Sequence, residues 1–158
     1  VVSSFGKTYH CTGWKVGYCI APRALSAEFR KVHQYLTFST FTPAQWAFAE
    51  ILESDPQHYL DLPTFYQAKR DHFRTQLAGS RFRLRPVAGA YFQVADYSAL
   101  SDSDDLAFCE WLARVGGVAA IPLSAFYESP PAGQRLSRFC GAKSEMMLEL
   151  AAERLNAL

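Results

Sequence analysis

The strongest constraint on the fold is the regular alternation of helical stripes and short apolar β runs after residue 56. The helical segments carry apolar residues at spacings of three and four, and the β runs are bounded by Pro or Gly. Helices are predicted at about 62–78, 101–115 and 144–158, and strands at 82–84, 91–94, 118–121 and 136–140. This order predicts a compact α+β unit.

Two of these helices carry stripes that we expect to lie in the core. One belongs to the helix at 101–115, and the other to the last helix, which begins near Ser144 and places glutamates on its opposite side. The members of the two stripes are Leu106, Cys109, Leu112 and Val115, and Met147, Leu148, Ala151, Leu155 and Leu158.

Residues 1–55 follow a different pattern. Residues 1 to about 23 are rich in Ser, Gly and Thr and then β-prone, which predicts a loop that runs into a strand and ends at Pro22. Two helices are predicted next, one from a Ser26 cap to about residue 35 and one from a capping box at Thr42 to about residue 53. Asp55-Pro56 then ends the second helix.

The charge balance excludes several classes of partner. The chain has 158 residues, 16 of them basic and 15 acidic, and a formal net charge of +1. Without a basic block, neither nucleic acid nor an anionic membrane is expected as the main partner. The longest apolar run, at 115–123, is far shorter than the roughly 20 residues that a membrane helix requires.

Cysteine and histidine usage indicates a reducing compartment and no metal site. The four cysteines form no CxxC pair, and a chain of this length can bury a core without disulfides, so free thiols are expected. The four histidines show no HExxH motif and no spacing that pairs with a cysteine. The N-terminus resembles no secretory signal. We therefore expect a cytoplasmic protein without a metal ion.

The most informative stretch is 3–18. It carries Lys7 and Lys15 eight residues apart, Ser4 three residues before the first lysine, and three glycines that allow close approach of the backbone to a ligand. Serine hydroxyls and lysine ammonium groups can together hold a phosphate, although the GxxxxGK[ST] motif of a P-loop is not matched. From the residues alone, two solvated surface lysines are an equally good interpretation.

Residues 4–7 (SFGK) together with 12–17 (TGWKVG) resemble the Schiff-base lysine segment of the class I/II aminotransferases. These are pyridoxal-phosphate enzymes of the aspartate-aminotransferase fold. Three further segments occur in the family's order, at 86–92, 117–124 and 135–140, so the resemblance covers essentially the whole chain. Segments 4–9 and 31–38 are most similar to the methionine and kynurenine/glutamine aminotransferase branch.

The resemblance implies pyridoxal 5'-phosphate as cofactor and roles for four residues. Lys7 would form the Schiff base with the cofactor aldehyde and, once released, move a proton at the substrate α-carbon. That role needs a neutral amine, which desolvation and the charge of Lys15 would favour. Ser4 and Lys15 would bind the cofactor phosphate; many relatives have arginine in place of Lys15, so a point charge replaces a bidentate fork. Arg138 would bind the substrate carboxylate.

Strand alternation independently supports a role for Arg138 in binding a carboxylate. It places Arg138 on the same strand face as Leu136 and Cys140, where an unpaired guanidinium would be costly. A substrate carboxylate would supply the bidentate partner. The pattern alone leaves open an arginine at a strand edge that pairs with a local acid. Tyr35, Phe38 and Phe126 are candidates for the side-chain pocket, with simple core residues as the alternative.

The implied architecture is an α/β parent of the pyridoxal-phosphate-dependent transferase fold type I, of which this chain is mainly the C-terminal α+β small domain. Residues 1–25 would end the large domain, 26–55 would be a helical connector, and 56–158 the small domain. The chain lacks an initial Met and starts in a polar loop, so we expect part of a longer enzyme. Family groups that hold the cofactor ring would precede Lys7, so the segment alone should be nearly inactive.

The implied reaction moves an amino group between an amino acid and a 2-oxo acid, in a parent that is a homodimer. Methionine, aromatic or other large apolar amino acids are the expected substrates. Two alternatives are a pyridoxal-phosphate-dependent carbon–sulfur β-lyase of the same fold and a non-catalytic α+β binding or dimerisation domain.

Overall fold

The computed structural model describes residues 1–158, and its first unit, Val1–Leu62, begins with a two-stranded antiparallel ribbon. Strand β1 (Val2–Ser4) pairs with β2 (Gly17–Cys19), so the residues between them form a closed loop. The loop contains the single-turn helix α1 (Phe5–Thr8) and a 3₁₀ turn (Thr12–Trp14). The predicted strand corresponds to β2, whereas β1 and α1 are additional elements.

Two helices follow in the first unit, as predicted: α2 (Arg23–Leu36) and α3 (Thr42–Ser54). The predicted caps are wrong. Ser26 lies inside α2, where its hydroxyl donates to a backbone carbonyl at 3.0 Å, because Pro22 already directs the chain into the helix. Thr42 is itself helical, so its hydroxyl caps no backbone donor.

Helix α4 (Gln57–Gln76) begins earlier than the predicted residue 62. The carboxylate of Asp55 accepts a hydrogen bond from the backbone nitrogen of His58 at 3.2 Å, which satisfies one of the free donors of the first turn. Pro63 lies inside the helix, where it removes one backbone donor.

The second unit, Pro63–Leu158, is built on a four-stranded antiparallel sheet. Its order is β3-β4-β6-β5, and β4 pairs with β6 from Phe92↔Cys140 to Asp96↔Leu136. The strands are β3 (Arg83–Leu84), β4 (Phe92–Asp96), β5 (Ile121–Pro122) and β6 (Leu136–Cys140), and the helices after α4 are α5 (Asp105–Trp111) and α6 (Glu145–Asn156).

One apolar core holds the second unit together. Aromatic rings dominate it, and Tyr97 stacks on Phe108 with ring centroids 3.8 Å apart. The fully packed members include Phe73, Leu77, Phe82, Ala95, Tyr97, Phe108, Leu112, Phe139, Leu148, Ala152 and Leu155.

The predicted stripe of the helix at 101–115 is only partly correct. Helix α5 continues into a π turn (Leu112–Gly116), and a π turn adds one residue to the helical repeat. Gly116 is therefore buried in place of Val115, which is exposed. Leu106 is exposed as well, because the buried face of α5 runs through Asp105, Phe108 and Cys109.

The strand predicted at 118–121 is also misplaced. Gly117 has a left-handed φ of 65°, and the nitrogen of Val118 donates to the carbonyl of Leu112 at 3.3 Å. The chain is thus still turning at Val118, and β5 begins only at Ile121. In α6, the predicted start near Ser144 is confirmed, since Ser144 is the N-cap and accepts a hydrogen bond from the nitrogen of Met147.

The side chain of Met147, predicted in the core stripe of α6, is exposed. All four cysteines are free thiols. No group of three or more His, Cys, Asp or Glu side chains is arranged to hold a metal ion. None of the helices has both the length and the apolar character needed to cross a bilayer.

Candidate active site

Ser4 organises the turn that carries Lys7. It is the N-cap of α1, and its hydroxyl oxygen accepts a hydrogen bond from the nitrogen of Gly6 at 3.2 Å. The same hydroxyl donates to the carbonyl of Val16 at 3.4 Å, a long and therefore weak bond. The Ser4 hydroxyl thus lies at the start of the turn, and its weak hydrogen bond to Val16 can be exchanged for one to a ligand.

Lys7 extends away from the packed side of α1. Phe5 and Tyr9 stand four residues apart and both pack against the small apolar core of the first unit, so the residue between them points outward. The Lys7 side chain is exposed, and its ammonium forms no hydrogen bond or ion pair. The desolvation expected for Lys7 from the sequence is therefore not provided by this chain.

Lys15 has an unusual backbone conformation. Its φ of 54° and ψ of 39° are left-handed, a region that costs a non-glycine residue roughly 1–2 kcal/mol. It follows the 3₁₀ turn and precedes the buried Val16, and its exposed ammonium has no ion-pair partner. Strain of this kind at a charged residue is typical of binding loops.

The loop rests on aromatic rings of the first unit. Phe5 stacks on Phe48 of α3 with ring centroids 4.8 Å apart, and Tyr9 approaches the same ring at 5.7 Å. Val16 and Ala44 complete the buried cluster. This apolar base holds α1 in place while its polar groups remain free.

The structure adds His58, which sequence reasoning did not assign to the site. Its ring stacks on Tyr9 at 5.1 Å, and its Nε2 atom lies 2.9 Å from the carbonyl oxygen of Thr8. Burial, followed by the nearby Tyr59 and Asp55, raises the pKa of Tyr9. A single histidine in the first turn of a helix carries no motif, so only the folded chain reveals this contact.

Arg138 lies in β6 of the second unit and is held by two aromatic rings. Its guanidinium carbon lies 3.9 Å from the ring centroid of Phe92 and 4.4 Å from that of Phe126. The Nε atom is buried without a hydrogen-bond partner, and no acidic side chain pairs with the guanidinium. The local acid that the alternative interpretation requires is thus absent.

Arg138 shares a strand face with Leu136 and Cys140, as predicted, but this face does not meet the core. Ser137 and Phe139 are buried against the core, and Leu136, Arg138 and Cys140 lie on the opposite, half-buried face. The guanidinium is therefore not in the core of the unit, and stacking between rings explains how it is accommodated. Among the aromatic candidates, Phe126 contacts Arg138, whereas Tyr35 and Phe38 are 87% and 84% exposed and are not core residues of this chain.

Each unit carries its own set of chemically useful groups. The first brings a hydroxyl and an ammonium, of Ser4 and Lys15, into the same loop as the primary amine of Lys7. A free amine can bond to a carbonyl carbon, and a hydroxyl with a cation can bind an anion. The second unit presents a planar guanidinium that has no acidic partner, a group that suits a carboxylate.

Comparison with known proteins decides the family. A model of the family "Aminotransferase class I and II" matches residues 1–155. The chain belongs to the class I and II aminotransferases. The family predicted from residues 4–7 and 12–17 is therefore confirmed.

Individual aminotransferases resemble the chain closely. It is 58% identical over 157 residues to a methionine aminotransferase of Escherichia coli (strain K12), covering 99% of this chain and 40% of the relative. It is 32% identical over 174 residues to kynurenine–oxoglutarate transaminase 1 of Mus musculus, covering 98% and 41%. The chain thus spans about two fifths of the length of these relatives.

Solved structures show the same relationship. A crystal structure from Escherichia coli, identified with a methionine aminotransferase function, matches with a TM-score of 0.95 at 58% identity, over 99% of this chain and 41% of that one. The α+β unit described above is therefore part of an aspartate-aminotransferase fold.

Proposed function

We propose that the whole protein is a pyridoxal-phosphate-dependent aminotransferase. It transfers an amino group between a 2-oxo acid and an amino acid with a methionine, aromatic or other large apolar side chain. The observation that carries this proposal is the exposed, unpartnered amine of Lys7 at the end of a turn that Ser4 caps. The 58% identical methionine aminotransferase supports the substrate class.

The lysine loop suits the cofactor by its charge and its donors. No acidic residue occurs in the first 27 positions of the chain, so nothing in the loop repels a phosphate. The hydroxyl of Ser4 and the ammonium of Lys15 are both available to donate to phosphate oxygens. When bound, pyridoxal 5'-phosphate supplies an aldehyde that bonds to amines and a conjugated ring that withdraws electrons from the substrate α-carbon.

Lys7 and Arg138 have separate roles in proton transfer and in substrate binding. The amine of Lys7 would hold the cofactor, and once released it would take the proton from the substrate α-carbon. Arg138 binds the substrate carboxylate through two parallel hydrogen bonds, because no acidic side chain of this chain pairs with its guanidinium. Both groups act without the help of an acidic residue from their own neighbourhood.

The proposal also covers the domain organisation, the oligomeric state and the cellular compartment of the whole protein. We assign residues 1–25 to the end of a large cofactor-binding domain, 26–55 to a helical connector and 56–158 to the small domain. The whole protein is a cytoplasmic homodimer whose partners are its amino-acid and 2-oxo-acid substrates, with no nucleic acid or membrane among them.

The reaction products test this function. The whole protein, supplied with pyridoxal 5'-phosphate, methionine and a 2-oxo acid, should convert methionine to a 2-oxo acid that keeps its side chain. Release of pyruvate and a thiol from an S-alkyl cysteine, without amino transfer, would instead identify a β-lyase. Formation of neither product would favour a non-catalytic domain.

A variant of Arg138 tests the carboxylate site. Arg138→Lys keeps the charge but loses the planar fork, so kcat/KM should fall about tenfold or more. Arg114→Lys is the matched control, because Arg114 is highly exposed and its ion pair with Glu110 is long at 4.0 Å. Equal activity of the two variants would remove Arg138 from the proposal.

A further inference from the structure

Asp105 carries a buried carboxylate at the first residue of α5. The residue is only 4% exposed, and a buried charge is costly unless it is hydrogen-bonded. Its Oδ2 atom accepts a hydrogen bond from the backbone nitrogen of Ser124 at 2.6 Å. The neighbouring Asp104 is exposed and caps the helix by accepting from the nitrogen of Ala107 at 2.8 Å. Asp105 is therefore not needed as the helix cap.

The bond from Asp105 holds a short 3₁₀ turn, Leu123–Phe126. The carbonyl of Ser124 also accepts a hydrogen bond from the nitrogen of Tyr127 at 3.1 Å, which closes the turn. Both backbone polar groups of Ser124 are thus engaged. The position of the turn relative to α5 depends on the bond from Asp105.

The turn delivers one of the two rings that enclose Arg138. The turn follows β5, where Ile121 pairs with Arg138. Its last residue is Phe126, whose ring centroid lies 4.4 Å from the guanidinium carbon. The ring of Phe92 lies 3.9 Å from the same carbon, and Phe92 belongs to the paired part of the sheet. Phe92 is therefore held by strand pairing, whereas Phe126 is half-exposed and depends on the turn.

We propose that Asp105 is a positioning residue for substrate binding. By holding Ser124 it keeps Phe126 against Arg138, and the two rings then fix the plane in which the guanidinium meets a carboxylate. This inference rests on the proposed role of Arg138 as the carboxylate site. It concerns how that site is ordered and assigns Asp105 no contact with the substrate.

The test uses the whole protein loaded with pyridoxal 5'-phosphate and two probes, each of which carries only one of the two functional groups of an amino acid. One is the analogue of methionine that lacks the amino group, and the other is the analogue that lacks the carboxylate. In Asp105→Ala, the Kd of the carboxylate probe should rise about 2- to 30-fold, the range that corresponds to the loss of one cation–π contact. The Kd of the amine probe should not change, and the effect on turnover should fall on KM.

Three comparisons separate positioning from general stability. Asp105→Asn keeps an acceptor for Ser124 and should retain most of the affinity for the carboxylate probe. Asp104→Ala removes the helix cap and lowers the melting temperature, yet it should leave both probes unaffected. In a background of Phe126→Leu, the Asp105→Ala substitution should have no further effect on the carboxylate probe, because both act through one contact.

Two outcomes would overturn the inference. In one, Asp105→Ala weakens both probes equally; in the other, it changes neither. If Asp105→Ala does not fold, Phe126→Leu alone decides, since unchanged affinity for the carboxylate probe in that variant contradicts the proposal. Arg138→Gln separates the proposed role of Arg138 from the inference about Asp105. If Arg138→Gln does not change the Kd of the carboxylate probe, the proposed role of Arg138 fails. If it raises that Kd while Asp105→Ala does not, only the inference about Asp105 fails.

Discussion

The Nε2 atom of His58 lies 2.9 Å from the carbonyl oxygen of Thr8, the residue that follows Lys7. The carbonyl can only accept, so His58 carries its proton on Nε2 in this contact. The ring also stacks on Tyr9 at 5.1 Å. A helix residue far away in the sequence therefore secures the end of the turn that presents the Lys7 amine.

Replacing His58 by Phe should loosen this turn. The aromatic stacking on Tyr9 is kept, while the hydrogen bond to Thr8, which contributes about 1 kcal/mol, is lost. The amide of Tyr9, which donates to the carbonyl of Phe5, should then exchange with solvent about fivefold faster, as measured by hydrogen exchange. His33→Phe in α2 is the control, because His33 makes no side-chain hydrogen bond; equal exchange rates in the two variants would show that the bond is unimportant.

Gly17 should not tolerate a methyl group. An added Cβ would lie 2.5 Å from the carbonyl oxygen of Ser3 in the paired strand, so β1 and β2 would have to separate. Gly17→Ala should lower the free energy of unfolding by about 1–3 kcal/mol in urea titrations. Gly13→Ala in the same loop meets no atom within 4 Å and should be nearly neutral. Similar losses in both variants would contradict the steric argument.

At Lys15, conformational strain can be separated from charge. Lys15→Gly removes the ammonium and relieves the left-handed backbone, whereas Lys15→Ala removes the ammonium alone. Without cofactor, the glycine variant should be more stable to urea than the alanine variant by about 1 kcal/mol. Both should bind pyridoxal 5'-phosphate about tenfold more weakly in spectroscopic titrations. Unchanged affinity in both would exclude Lys15 from the phosphate site.

The buried thiol of Cys109 should make stability depend on alkaline pH. Burial, and then the nearby Asp105 carboxylate, raise the pKa of Cys109 from 9.0 to about 11. Because the folded pKa exceeds the unfolded one, the stabilising contribution is complete below pH 9.0 and is lost as the pH rises toward 11. The stability difference between the protein and its Cys109→Ala variant, measured by urea unfolding, should shrink over this interval. A constant difference would show that Cys109 does not titrate as described.

Strands and helices with strong local signals could be predicted from the sequence. β6 occupies the predicted residues 136–140, and α6 begins after Ser144 as expected. The predicted boundaries and the predicted buried face were wrong where a nearby residue or turn altered the local structure. The Asp55 carboxylate starts α4 early, and the π turn before Gly117 shifts both the buried stripe of α5 and the start of β5.

The candidate site was predictable only as a set of residue types. Lys7, Ser4 and Lys15 follow from a motif in one stretch of sequence. The shared face of Leu136, Arg138 and Cys140 is confirmed, but alternation could not indicate that the opposite face meets the core. His58, Phe92 and Asp105 contribute through contacts between residues distant in sequence, which no local sequence pattern predicts.

Borohydride trapping of the whole protein tests the central claim most directly. After incubation with pyridoxal 5'-phosphate, reduction and digestion, mass spectrometry should find the pyridoxyl group on the peptide that contains Lys7. Lys15 should remain unlabelled, and Lys7→Ala should abolish the label at this position while Lys31→Ala, a change at an exposed lysine of α2, should not. Label confined to any other lysine, or no label at all, would contradict the assignment of Lys7.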